Sequence, residues 1–221
     1  MADRDADSDG RELTPDSTPG ELTVRGAGLT LRYPRVDDAA ALFALGSDPE
    51  VTRFFSWGPY LKASEAEAWL RTLPARREAG VALELAIVDD RVGLVGITLL
   101  CEFSSRDRRC TVGTWLGRPH WGSGANLKAK ALLAQLAFGA LGVERLGAYA
   151  DVQNTRSQVA LERLGFMREG ILRALHRHGG KPRDVVSYAL LREDWQGSQL
   201  AVVPAAINGD PPPAFVMAHP G

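Results

Sequence analysis

The chain has 221 residues, 45% hydrophobic and 24% charged, with two cysteines and a formal net charge of −1. That is ordinary globular usage, which excludes a collagen-like chain, a disordered polymer and a disulfide scaffold. No apolar run approaches the ~20 residues that cross a bilayer, the polar, acidic start is unlike a secretory signal, and the near-neutral charge gives no reason to expect nucleic acid as a partner.

Residues 1–21 carry seven acids against two arginines and almost no large apolar side chain. They cannot bury enough surface to offset chain entropy and are expected to form a disordered acidic tail. Residues 22–196 are expected to fold as one mildly basic domain, a balance suited to an anionic small ligand. From Gly197 onward come five prolines. This segment reads as a flexible Pro-rich C-terminal tail, in which residues 200–203 are apolar enough to dock.

Within the domain, residues 29–33 read as a strand closed by Pro34. Residues 36–45 read as a helix with Asp37 and Asp38 at its positive end. A second helix is expected from Ser64, as N-cap, through Trp69, Leu70 and Leu73. Residues 81–88 and 92–101 are apolar runs separated by Asp89, Asp90 and Arg91, a hairpin signal, and 110–116 is a further strand. The stripe of Ala129, Leu132, Leu133, Leu136, Ala137 and Ala140 makes 126–141 the strongest helix, stopped by Gly142. A strand at 146–152, a helix at 155–164 closed by Gly165, and one or two strands ending at 185–191 complete the order. The class is mixed α/β with an antiparallel meander in its middle, not the alternation of a doubly wound parallel sheet.

The segment from Trp115 to Asn126 is the most informative. A strand feeds a loop holding Gly122 and Gly124, and the loop opens the long helix. Glycines allow a tight turn, and the amides of Ser123, Gly124, Ala125 and Asn126 would converge beside the positive helix end, a site suited to phosphate. A P-loop is excluded because Ala125 follows Gly124. A dinucleotide fingerprint is excluded because Leu127 stands where its third glycine belongs. Two readings remain: the pyrophosphate loop of an acyl-CoA-dependent acyltransferase, and a plain glycine-containing connection with Asn126 as helix cap.

Further along stand Asn154 and Ser157 at Asn-x-x-Ser spacing, the run Glu162-Arg-Leu-Gly-Phe166, Glu169-Gly170, and Arg183-Asp-x-Val186. With Trp121-Gly-x-Gly124, in this order and spacing, the chain resembles the GNAT superfamily of N-acetyltransferases, in its RimJ/RimL-like branch, over about residues 29–195. The resemblance implies a twisted, mostly antiparallel central sheet flanked by helices, with acetyl-CoA as co-substrate, no metal, and an amine acceptor. Together with the absence of an export signal or bilayer-length run and the near-neutral charge, the expectation is a cytoplasmic enzyme with no membrane or nucleic-acid partner, its oligomeric state left open.

Carried onto these residues, the resemblance implies that Trp115 and Leu116 offer backbone groups to the pantetheine arm. Gly122, Ser123, Gly124, Ala125 and Asn126 would hold the pyrophosphate. Asn154 would bind pantetheine, Arg163 would reach the nucleotide, and Ser157 would return a proton to the leaving thiolate, with Tyr149 as reserve acid. Relatives often carry a strand glutamate where Cys110 and Thr111 stand here, so Glu84 and Glu102 on neighbouring strands are the candidate bases; an acceptor arriving as neutral amine needs none. Trp57 and Tyr60, with Phe54 and Phe55, crowd the loop where the family builds its acceptor site, the two phenylalanines suiting core packing. No Ser-His or Cys-His pair announces an acyl-enzyme, so direct attack is expected. The alternative is a catalytically degenerate CoA-binding module acting as a sensor. His176 and His178 lack companion ligands for a metal. Cys101 and Cys110, facing each other across a hairpin, read as reduced apolar fillers.

Overall fold

The structure, a computed structural model, describes residues 21–217. The disordered acidic tail expected at 1–21 therefore lies outside the described residues, apart from Glu21. β1 (Thr23–Gly26) and β2 (Leu29–Arg32) form a hairpin. Its two turn residues, Ala27 and Gly28, both have positive φ (51° and 76°), the backbone that matches a two-residue turn to strand twist. Two short helices follow, α1 (Ala39–Gly46) and α2 (Pro49–Thr52), then α3 (Ala63–Glu78). Lys62, not Ser64, occupies the N-cap of α3; Glu65 reaches back instead, its Oε2 accepting from the Leu61 amide at 2.8 Å.

The meander is β3 (Ala82–Asp89), β4 (Gly93–Ser104) and β5 (Arg109–Leu116). A crossover through α4 (Ala125–Ala134), extended by a π-helical segment over Gln135–Ala140, leads to β6 (Arg145–Asp151). Then come α5 (Thr155–Arg163), the long hairpin β7 (Met167–His178) and β8 (Lys181–Leu191), α6 (Arg192–Gln196) and β9 (Ala206–Asn208). The nine strands form one sheet in the order β7-β8-β6-β5-β4-β3-β2-β1-β9. Only β5 and β6 run parallel.

Both faces of the sheet are covered, and strand alternation sorts the side chains. Leu83, Leu85 and Ile87 of β3 join a core with Leu132 and Leu133 of α4 and Leu136 of its π-helical extension. Ala86 faces the other way, with Ile97 and Trp115, beneath Leu42 of α1 and Leu70 and Leu73 of α3.

Three features correct the sequence reading. The C-terminal segment is packed rather than flexible: β9 pairs with β1, Leu200, Phe215 and Met217 are buried, and Gln135 Nε2 donates to Ala201 O at 3.0 Å. β7 is a full twelve-residue strand that periodicity did not reveal, because it lies at the sheet edge with most residues exposed. Cys101 stands opposite Thr111, not Cys110, and both thiols are free. No helix among the described residues is long and apolar enough to cross a membrane.

Candidate active site

The parallel ladder between β5 and β6 runs from Arg109↔Arg145 to Val112↔Ala148 and stops there. β5 continues to Leu116 and β6 to Asp151, so the two strands part and open a wedge in the sheet. A cavity of about 1020 Å³ occupies it, walled by residues 112–116 and 148–151 of the diverging strands. The backbone groups that the ladder no longer uses face a ligand in the wedge or solvent.

One edge of the wedge is the glycine loop. Gly122 and Gly124 have φ of 75° and 84°, left-handed values that a side chain disfavours. Gly124, not Asn126, is the N-cap of α4, and Asn126 is the second helical residue. Lys128 is the first residue of the helix whose amide returns to the loop, to Gly124 O at 3.1 Å. Ser123 Oγ receives the Ala125 amide at 3.3 Å. The remaining first-turn amides have no partner within the helix and, with its dipole, favour an anion. Trp121 fixes the loop to the strand end, its Nε1 donating to Leu116 O at 2.8 Å.

The opposite edge is the start of α5. Asn154 caps it, with Oδ1 accepting from the Ser157 amide at 3.1 Å, which places Asn154 and Ser157 side by side on the cavity wall. Arg156 lays its guanidinium over the Trp121 ring, 3.3 Å from the centroid. Lys130 of α4 also lines the cavity. Only 8% exposed, its Nζ donates to Thr114 Oγ1 at 2.8 Å, and burial lowers its pKa to about 8.

A polar cluster faces the other side of the sheet. Glu102 sits at the break in β4–β5 register with φ of 54°, a bulge that re-aims its side chain. Its Oε2 accepts from Thr111 Oγ1 at 2.8 Å. Burial, then the negative charge of Glu102, raises the Tyr149 phenol pKa. The Tyr149 ring meets His176 edge-on, centroids 5.8 Å apart, and a His178 ring nitrogen bonds Phe55 O, tying the β7 end to the loop after α2.

The cavity thus brings together Trp115, Leu116, Gly122, Gly124, Asn126, Tyr149, Asn154, Ser157 and Arg163 from the sequence reading. Ser123 and Ala125 support the loop without lining it. Trp57 and Tyr60 stand behind the wall: Trp57 packs on Trp115 at 5.2 Å and on Tyr60 at 5.3 Å, while Phe54, Phe55 and Ser56 line the cavity. Glu102 does not line the cavity, but Tyr149, which it acts on, does. Glu84 is away from it, 2% exposed and paired with Arg76 Nε at 3.0 Å. Desolvation, opposed by Arg76, raises the Glu84 pKa.

Lys130 and Arg156 escaped the sequence reading. The signal for Lys130 was a charge at Ala129-Lys130-Ala131, in the apolar part of a helix. Arg156 carried none, because its partner Trp121 lies far away in sequence. His176 and His178, weighed as metal ligands, flank the cavity instead, and no metal-binding group of side chains occurs among the described residues. Burial pushes both cysteine thiols up to about 12, so neither is an activated nucleophile.

Residues 28–167 match the family model described as "Acetyltransferase (GNAT) domain". The chain is similar to the uncharacterized N-acetyltransferase p20 of Bacillus licheniformis, with 31% identity over 76% of this chain and 96% of that protein. Among solved structures it is similar in fold to Mycobacterium smegmatis RimJ in complex with CoA-disulfide (TM-score 0.70, 23% identity, covering 82% of this chain and 92% of that one). It is also similar to the microcin C7 self-immunity acetyltransferase MccE in complex with acetyl-CoA and AMP (TM-score 0.67, 24% identity, covering 75% and 93%).

Proposed function

The chain belongs to the GNAT acetyltransferase family, and on that premise we propose that it transfers an acetyl group from acetyl-CoA to a primary amine by direct attack in a ternary complex. The observation that carries this is the parting of β5 and β6 beyond Val112 and Ala148, between the glycine loop of α4 and the capped start of α5. The wedge supplies unpaired backbone for an extended amide-rich arm, and the loop supplies amides for a pyrophosphate. MccE, similar in fold, was solved with acetyl-CoA, which supports the same co-substrate here.

The two sides of the sheet divide the work. Acetyl-CoA enters between α4 and α5, with Asn154 and Ser157 beside its arm. The acceptor enters from the side of Phe54, Phe55, His176 and Tyr149. Glu102, through Thr111 and Tyr149, takes up the proton that an ammonium acceptor must lose before it attacks. Attack forms the nitrogen–carbon bond and expels the sulfur, whose proton comes from Ser157 in this reading. Placing both reactants in one cleft supplies much of the acceleration.

A thiol-release assay with acetyl-CoA over a panel of peptide N-termini, amino acids and polyamines tests this reading. Amine-dependent release of CoA is expected. CoA binding with no release for any amine class would remove the transferase assignment and leave a CoA-binding module.

A further inference from the structure

Lys130 is a buried charge that the chemistry above leaves unused. The hydrogen bonds around it fix its role as a donor. Thr98 Oγ1 spends its proton on Gly113 O at 3.1 Å, so in the 2.8 Å contact between Thr98 and Thr114 the proton belongs to Thr114. Thr114 then offers Lys130 only a lone pair, at 2.8 Å. A protonated lysine has three N–H groups, and two remain for the cavity that Lys130 lines.

No carboxylate balances it. Asp151 is the only acid on the cavity wall among the described residues, and its Oδ1 is taken by the Gln153 amide at 2.8 Å. The other charged or titratable wall residues are cations, histidines and Tyr149. A cation so buried and, among the described residues, without a counter-charge is costly unless a ligand completes it. Its nitrogen touches Thr114, two residues beyond Val112, the last residue of β5 paired with β6, so it sits where the wedge begins. The phosphates of acetyl-CoA are provided for at the glycine loop. During attack the acetyl carbonyl oxygen becomes negative first, and the sulfur is the atom that then departs with the electron pair and needs a proton.

We propose that Lys130 is a catalytic residue that receives the CoA thiolate. As the acceptor nitrogen bonds to the acetyl carbon and the carbon–sulfur bond breaks, the electron pair left on sulfur is held by the Lys130 ammonium. One ammonium proton passes to sulfur as CoA leaves, and the proton lost by the acceptor nitrogen restores the ammonium through solvent. In this proposal Ser157 orients the sulfur, and Lys130 supplies its proton. The lowered lysine pKa agrees with this, since transfer to a thiolate is easiest between groups of similar acidity.

The inference rests on the acetyl-CoA reading, and the test separates the two. The ultraviolet absorbance of bound CoA thiolate is followed against pH in the wild type, Lys130→Met and Lys130→Gln, and desulfo-CoA affinity is measured by calorimetry in all three. The wild type is expected to bind desulfo-CoA and to ionise bound CoA at lower pH than free CoA. Both variants should keep desulfo-CoA affinity, ionise bound CoA about tenfold less readily, a shift of about one pH unit, and lose kcat more than KM. Ionisation at the same pH in all three overturns the proposal, as does an equal loss of desulfo-CoA and CoA affinity in both variants, which would make Lys130 a packing residue. Failure of the wild type to bind desulfo-CoA strikes the acetyl-CoA reading itself.

Discussion

The Arg156 guanidinium lies 3.3 Å from the Trp121 ring centroid, and Trp121 Nε1 is hydrogen-bonded to Leu116 O at 2.8 Å. This pair joins three edges of the cleft: the first turn of α5, the glycine loop and the end of β5. A cation–π contact is worth about 0.5–2 kcal/mol and a hydrogen bond about 0.5–1.5 kcal/mol. Trp121→Ala should therefore lower unfolding stability by about 1–3 kcal/mol and weaken CoA binding, as the loop loses its anchor. Chemical denaturation and calorimetry read the two effects. Arg156→Met keeps much of the stacking area and should cost less stability.

Gly124 and Gly139 make a matched pair. A methyl at either meets no atom within 4 Å, but only Gly124 has positive φ, at 84°. Gly124→Ala should cost about 1–2 kcal/mol in backbone strain and raise the acetyl-CoA KM. Gly139→Ala, in the helical continuation of α4, should gain about 0.5–1 kcal/mol with unchanged KM. Equal effects of the two substitutions would mean that loop conformation does not govern the site.

Ser157 and Tyr149 both line the wedge. If the Ser157 hydroxyl takes part in expelling the thiolate, Ser157→Ala should lower kcat with little change in CoA affinity, by no more than about 10²-fold, the low end for general-acid catalysis, because a thiolate is a good leaving group. Tyr149→Phe removes the link to Glu102 and should act most on acceptors that enter as ammonium, with its loss shrinking as pH rises. A crippled Tyr149→Phe beside a normal Ser157→Ala would move the acid to Tyr149.

Glu84 tests whether burial alone makes a base. Its pKa is raised by desolvation, so the native state holds that proton more tightly than the unfolded chain does. Its ionised form costs stability above the raised pKa, and that cost is relieved as pH falls through it. The stability of the wild type relative to Glu84→Gln should therefore rise as pH falls through the carboxylate range, while kcat/KM of the variant stays near that of the wild type. A large loss of activity would return Glu84 to the list of bases.

The parts of this fold that were legible from sequence are those whose burial follows a simple period. The stripe from Ala129 to Ala140 located α4, and the runs around Asp89 and Asp90 located the central hairpin. β1 and β9 were invisible because each is short, and β9 gains its pairing from β1, far away in sequence. β7 escaped because charged residues populate both of its faces. The glycine loop and Asn154 were readable because helix starts need particular residues locally. The Lys130–Thr114 bond, the Arg156–Trp121 stack and the placement of Phe55 ahead of Trp57 depend on how elements are brought together, which local pattern does not encode.

Hydrogen exchange, read segment by segment with and without CoA, tests the central claim most directly. The account predicts slowed exchange on CoA addition in three places: residues 113–116 of the parted strand, 122–127 of the glycine loop and first turn of α4, and 154–157 at the start of α5. Residues 82–89 of the central strand should not change. Protection confined to other segments, or none at saturating CoA, would contradict the assignment of the wedge as the acetyl-CoA site.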